Sequence, residues 1–162
     1  MKTNKLIAAI LLSLVIAVAA IIFILSSQTG DVSNDVSQGV TDDLLSFVDG
    51  DKQPGFSLHR LIRKCAHMAE YAALAFLLCA YIVYVWRSAP FYRTALIAWL
   101  IATLYGVSDE IHQLFVPGRS GAVKDVLIDA AGAAIGVLAL AVLFGIVRIW
   151  KKKRLDTKEG AI

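Results

Sequence analysis

The segment Ser108–Asp129 gathers Asp109, Glu110, His112, Gln113, Arg119, Lys124, Asp125 and Asp129 between two long apolar runs, in a chain that is 58% hydrophobic. A second polar group, Arg63, Lys64, His67, Glu70 and Tyr71, stands at the head of another apolar run. Residues of these types support three kinds of chemistry. In the first, Arg63, Lys64, Arg119 and Lys124 hold an anionic group while His67, Glu70, Asp109 and Asp125 supply acid, base or nucleophile. In the second, Asp109, Glu110, His112, Asp125 and Asp129 offer carboxylate and imidazole donors to a divalent cation, although their spacing matches no specific metal motif. In the third, the charges pair with one another and lock helix ends. Taken singly, His59, Glu110 and His112 are expected at the solvated surface, and Tyr71 and Tyr105 read equally well as interfacial aromatics.

Spacing decides which of these residues share a face. His67 lies three residues from Glu70 and four from Tyr71; Asp109 and Gln113 are four apart, as are Asp125 and Asp129. Glu70 falls about 6 Å inside the apolar boundary at helical rise, where a carboxylate needs a partner. Val116-Pro117-Gly118-Arg119 reads as a type II turn, with proline setting the second position and glycine supplying positive φ at the third. Such a turn presents Arg119 at a fixed place.

The elements that must position these groups are apolar helices. A mean hydropathy of +0.69 with 18% charged residues excludes disorder and argues against an ordinary soluble fold. Four runs, 6–25, 66–86, 91–107 and 126–147, are long enough or nearly so to cross a hydrocarbon core of about 30 Å. They define one domain over 1–150, followed by a basic tail at 151–162. The second helix is expected to begin near Ser57 and the fourth near Val123, and the short third run to continue through Ser108 towards Phe115. The first run extends past Ala17-Val18-Ala19 and is read as an uncleaved anchor. Between the first two runs, Val32, Val36, Val40, Leu44 and Phe47 recur at helical spacing, an amphipathic helix on the membrane or over the bundle. Gly39 weakens it and Gln53-Pro54-Gly55 ends it. In the last run Gly132 and Gly136 form a GxxxG pattern, a sign of close helix packing. Cys65 and Cys79, fourteen residues and some 21 Å apart on one helix, cannot bridge each other, and no zinc spacing occurs.

Basic residues set the expected orientation. With both termini cytoplasmic, ten of the sixteen Lys and Arg residues fall inside, and of thirteen acidic residues only Asp156 and Glu159 do. The net charge of +3 is mostly this sorting signal and implies no nucleic-acid partner. Trp150 and the basic cluster after it read as an anchor on anionic inner-leaflet lipid, at about 1 kcal/mol per charge. Alternating topology then brings the end of the first span, the start of the second, the end of the third and the start of the fourth to one outer side. His67, Glu70, Asp109, Gln113, Arg119 and Asp125 are expected to line one concave pocket there.

The stretches SSQTG, RKCAHMAEYAALAFLL and SDEIHQLFVPGRSGAVKDVLIDAAGAAIG resemble the VanZ-like family of bacterial membrane proteins, in order and across nearly the whole chain. The resemblance rests on K-x-x-H-x-x-E-Y, D-E-x-x-Q, P-G-R and a following Asp, which here are Lys64, His67, Glu70, Tyr71, Asp109, Glu110, Gln113, Gly118, Arg119, Asp125 and Asp129, with Ser27 and Gln28 earlier. It implies a role at the cell envelope and a link to teicoplanin resistance, without naming a reaction. Together with the residue chemistry, it assigns His67, Glu70, Asp109 and Asp125 as catalytic candidates. Gln28, Lys64, Tyr71, Gln113, Arg119 and Asp129 become substrate contacts. The expected fold is an all-α integral membrane protein, a four-transmembrane-helix bundle with a short extracytoplasmic amphipathic helix, in the bacterial cytoplasmic membrane. The expected partner is an anionic envelope lipid or lipid-linked glycan precursor, with a divalent cation as the one open cofactor. A non-enzymatic accessory protein is the alternative; a small transporter ranks below it, because no charged residue is expected at mid-bilayer.

Overall fold

In the computed structural model, which describes residues 4–48 and 58–159, five helices follow one another: α1 (Lys5–Ser26), α2 (Gly30–Val48), α3 (Leu58–Val85), α4 (Phe91–Gln113) and α5 (Val123–Glu159). Local chemistry sets several of these limits. Asn4 caps α1 by accepting the Leu6 amide at 3.0 Å, and Pro90 takes the N-cap position of α4, its fixed φ preceding the first turn. Helix α4 ends at Gln113, two residues short of the expected Phe115, in tight turns that carry the chain to Pro117.

Four helical segments are long and apolar enough to cross a membrane: Lys5–Ser26, Leu61–Val85, Phe91–Gln113 and Val123–Arg154. The surface agrees with this reading. Leu6, Ile10, Leu104, Leu127, Leu138 and Val142 all point outward, an arrangement that water would penalise and lipid accepts.

Helix α3 is the hub, since it packs against each of the other four. It contributes Tyr71, Leu74, Ala75, Leu78 and Cys79 to the core, where they meet Ile22 of α1, Ala98 and Ala102 of α4, and Ala133, Val137 and Leu140 of α5. The GxxxG glycines are spent inside the chain. A Cβ on Gly132 would run into the Met68 carbonyl and one on Gly136 into the Ala72 carbonyl, so α5 lies backbone to backbone on α3.

The basic segment after residue 150 continues the last helix, because α5 runs unbroken for 37 residues to Glu159. At helical rise it spans about 55 Å and outreaches a hydrocarbon core of about 30 Å. In α2, Val32, Val36 and Val40 are exposed, whereas Ser33 is buried and Asn34 accepts a hydrogen bond from Arg63 Nη1 of α3 at 3.3 Å. The polar edge of α2, not its valine stripe, faces the bundle. The side chains of Leu44, Phe47 and His59, and the break at Gln53-Pro54-Gly55, lie outside the described residues.

Candidate functional site

The end of α1, the first turns of α3, the end of α4 and the start of α5 meet at one end of the bundle. The turn at Val116–Arg119 has the expected form: Gly118 has φ +74° and the Arg119 amide donates to the Val116 carbonyl at 3.1 Å. It seats on the α1–α2 junction. The Gly30 amide donates to the Pro117 carbonyl at 3.0 Å, and a Cβ on Gly30 would collide with the Gly118 carbonyl. Only glycine permits this approach.

From that turn Arg119 reaches across to α1. Its Nε donates to the Gln28 carbonyl and its Nη2 to the Leu25 carbonyl, each at 3.0 Å. The Leu25 carbonyl also accepts the Gln28 amide at 3.3 Å and the Gln28 carbonyl lies just past the helix, so the guanidinium acts as a cap supplied by another element. Burial, with Arg63 adding to it, pushes the Arg119 guanidinium below its ordinary value; an arginine so displaced still carries its charge. Gln28, expected as a substrate contact, takes part through its backbone carbonyl.

Beneath the turn lies a buried polar knot. Asp109 is 4% exposed, and its Oδ2 accepts from Ser26 Oγ at 2.7 Å and from Gln113 Nε2 at 3.0 Å. Gln113 Nε2 also lies 3.4 Å from Ser26 Oγ. Glu110 is a correction to the sequence reading, whereas His112 stays partly exposed. Glu110 is buried rather than solvated, because its Oε2 accepts the Ala122 amide at 2.9 Å just ahead of α5. His112 stacks on Phe23 with ring centroids 4.8 Å apart and sits 3.1 Å from Ser27 Oγ. Ser27 in turn donates to the Phe23 carbonyl at 2.7 Å, so the end of α1 is tied to α4 as well.

A cavity of about 70 Å³ opens beside this knot, walled by Arg63, Lys64 and His67 of α3, Glu110 and Gln113 of α4, Arg119 and Ser120 of the turn, and Asp125 of α5. Four of the six residues expected in one pocket, His67, Gln113, Arg119 and Asp125, therefore share it. Asp109 stands behind Gln113 and holds it. Glu70 Oε2 lies 3.8 Å from His67 Nδ1, beyond hydrogen-bond reach, and does not wall the cavity. Lys64 Nζ and Asp125 Oδ1 pair at 3.5 Å across the α3–α5 mouth.

Deeper in, Tyr71 and Asp129 are completely or nearly completely buried, at 0% and 1% exposure, so Tyr71 is no interfacial aromatic. Tyr71 Oη, both Asp129 carboxylate oxygens and His67 Nδ1 make no hydrogen bond among the described residues. A Cβ on Gly106 would stand 3.4 Å from both Asp129 Oδ2 and Tyr71 Cε1, which places the acid and the phenol ring around one missing side chain. Tyr105 Oη is tied to the Ala19 carbonyl of α1 at 2.7 Å.

Among the described residues, no group of three or more His, Cys, Asp or Glu side chains gathers closely enough to hold a metal ion. Asp109 turns to Ser26 and Gln113, Glu110 to the Ala122 amide, and Asp125 to Lys64, so three of the five donors of the divalent-cation reading are divided among separate partners. Sequence reasoning passed over Ser26 and Gly30 as site residues. A hydroxyl in the last turn of an otherwise apolar helix, followed closely by glycine, was the available signal.

No curated protein matches the chain, and no solved structure does. The family description VanZ/LLP1 matches residues 11–145 of the 162, a range that covers most of each of the four spans and every wall of the cavity. With its four candidate spans and their polar junction, the chain is a multi-pass membrane protein that belongs to the VanZ/LLP1 family.

Proposed function

We propose that this protein receives the phosphate of an anionic envelope lipid, or of a lipid-linked glycan precursor, at the outer face of the cytoplasmic membrane, and acts on it there. The supporting observation is the cavity wall, where Arg63, Lys64 and Arg119 stand around one small space at which the ends of three spans meet. Its five ionisable wall residues other than histidine, three cationic and two carboxylate, sum to one net positive charge, which suits a single anionic group. His67 is the proton acceptor in this reading. It walls the cavity, and Glu70 Oε2 lies 3.8 Å from its Nδ1. A link to glycopeptide resistance, teicoplanin included, belongs to the same reading, since it places the protein at the envelope.

A binding module is the second reading, and one observation favours it. Asp109 and Glu110, two of the carboxylates available for chemistry, are engaged in bonds that hold the fold.

The test compares His67→Ala, Glu70→Gln and Asp125→Asn for folded yield, phospholipid binding and product formation. An acid–base role predicts normal yield and binding with turnover reduced about 10²–10⁴-fold in His67→Ala. Undiminished function in all three leaves the binding module as the reading. Orientation has its own test. An impermeant thiol reagent should label a cysteine placed at Ser120 and miss one placed at Ser88, and labelling of the latter from outside would reverse the proposed topology.

A further inference from the structure

Gln113 sits at the boundary between the buried knot and the cavity, and its amide has only one orientation that satisfies its neighbours. A carboxylate accepts hydrogen bonds and donates none, so the side of the amide facing Asp109 Oδ2 at 3.0 Å must be the NH₂ group. Ser26 reinforces this. Its hydroxyl proton goes to Asp109 at 2.7 Å, which leaves its oxygen to accept from the same NH₂ group at 3.4 Å. Both amide protons therefore point into the knot. The carbonyl oxygen Oε1 is left, and it accepts no hydrogen bond among the described residues although Gln113 walls the cavity.

The rest of the wall is rich in donors. Arg63, Lys64 and Arg119 donate only, while Asp125 is paired with Lys64 and Glu110 Oε2 is taken by the Ala122 amide. Gln113 Oε1 is thus a neutral acceptor standing among cations, with the His67 imidazole and the Ser120 hydroxyl also on the wall. A phosphodiester without a further donor satisfies the cations and leaves that acceptor facing an oxygen.

We infer that Gln113, held by Asp109 and Ser26, is a specificity-determining residue that selects a phosphodiester headgroup bearing a hydroxyl, as glycerol and sugar phosphates do, over one without a donor. This rests on the phosphate-site reading above. The phosphate meets the cations, and the hydroxyl donates to Gln113 Oε1. A ligand lacking the hydroxyl buries the acceptor unpaired, the kind of loss by which polar sites discriminate strongly.

The experiment uses the full chain in detergent and two short-chain lipids of equal charge and equal acyl length, phosphatidylglycerol and phosphatidylmethanol. Wild type should bind the glycerol lipid about 5–20-fold more tightly. Gln113→Met should lose that preference by weakening the glycerol lipid. Asp109→Asn provides a second reading that does not depend on the methionine variant folding. Its amide can donate to Gln113 Oε1, turn the glutamine over and present NH₂ to the cavity, so the preference should vanish or reverse. Equal binding of the two lipids by wild type overturns the selectivity and leaves the phosphate site standing. Binding of neither overturns both. A preference that survives both substitutions shows that Gln113 is not the reader.

Discussion

The α3–α5 seam and the α1–α2 junction close the same bundle by opposite means. At the seam, Gly132 and Gly136 bring backbone against the Met68 and Ala72 carbonyls. At the junction, α1 is almost entirely unburied along its length and is held at its end by Arg119, Ser26, Ser27 and the Gly30 amide. Packing of the first kind cannot be exchanged for contacts with a ligand. Bonds of the second kind can, and Arg119 belongs to both the junction and the cavity wall. The stable half of the molecule is therefore the α3–α5 half, and the half able to respond to an occupant is the end of α1.

The largest effect should come from breaking the seam. Gly136→Leu forces a side chain into the α3 backbone, and over-packing of this kind costs about 1–3 kcal/mol or more. Thermal unfolding of the purified protein should show a large loss, and Gly145→Leu, where nothing lies within 4 Å, should be nearly neutral. Equal behaviour of the two variants would remove the distinction between seam and surface.

Next comes the knot. Asp109→Ala strips the acceptor from two buried donors, Ser26 and Gln113, at about 1–3 kcal/mol for each group left unpaired. Asp109→Asn, which keeps an acceptor, should fall between it and wild type in the same unfolding measurement. A full-sized loss in Asp109→Asn would mean that charge, rather than hydrogen-bond count, holds the knot.

How far the sequence revealed these two regions depends on what each needs. The seam was legible because Gly132 and Gly136 lie four apart in an apolar run, and spacing alone puts them on one face. The Pro117-Gly118 turn was legible because its residues encode backbone angles. Glu110 was not, since a carboxylate near the end of a helix looks the same whether it meets water or the amide leading into another helix. Tyr71 and Asp129 have the same ambiguity: depth along a helix follows from counting, but rotation towards core or lipid depends on neighbours. The helical continuation of α5 to Glu159 was not legible, because strong basicity marks where a span leaves the membrane and says nothing of where its helix stops.

The junction predicts a smaller and more local effect. Arg119→Ala removes two charge-assisted bonds to α1 carbonyls on a half-buried side chain, worth about 1–2 kcal/mol after allowance for solvent. Hydrogen exchange should rise at residues 25–30 while the α3–α5 seam stays protected. Arg119→Lys should recover only part, because a point charge cannot span both carbonyls as the guanidinium fork does. Uniform loss of protection through the bundle would show that α1 is integral to its stability.

The smallest expected effect on folding lies at Lys64, and it is the one that separates the two regions most cleanly. Lys64 and Asp125 pair at 3.5 Å with side-chain exposures of 46% and 36%, which puts the pair in the range of surface ion pairs, about 0–1 kcal/mol. Lys64→Ala should therefore unfold close to wild type. The same side chain walls the cavity together with Arg63 and Arg119, the space proposed above for a phosphate. Removing it should weaken binding of an anionic short-chain lipid several-fold and flatten the dependence of that binding on salt, since one fewer exposed cation is left to be screened. Asp125→Asn gives the opposite sign, because it releases Lys64 and removes a repelling carboxylate from the wall, so the anionic lipid should bind more tightly. A fall in affinity for both variants would mean that the intact pair, and not the lysine charge, shapes the cavity, and the phosphate would then have to be held by Arg63 and Arg119 alone.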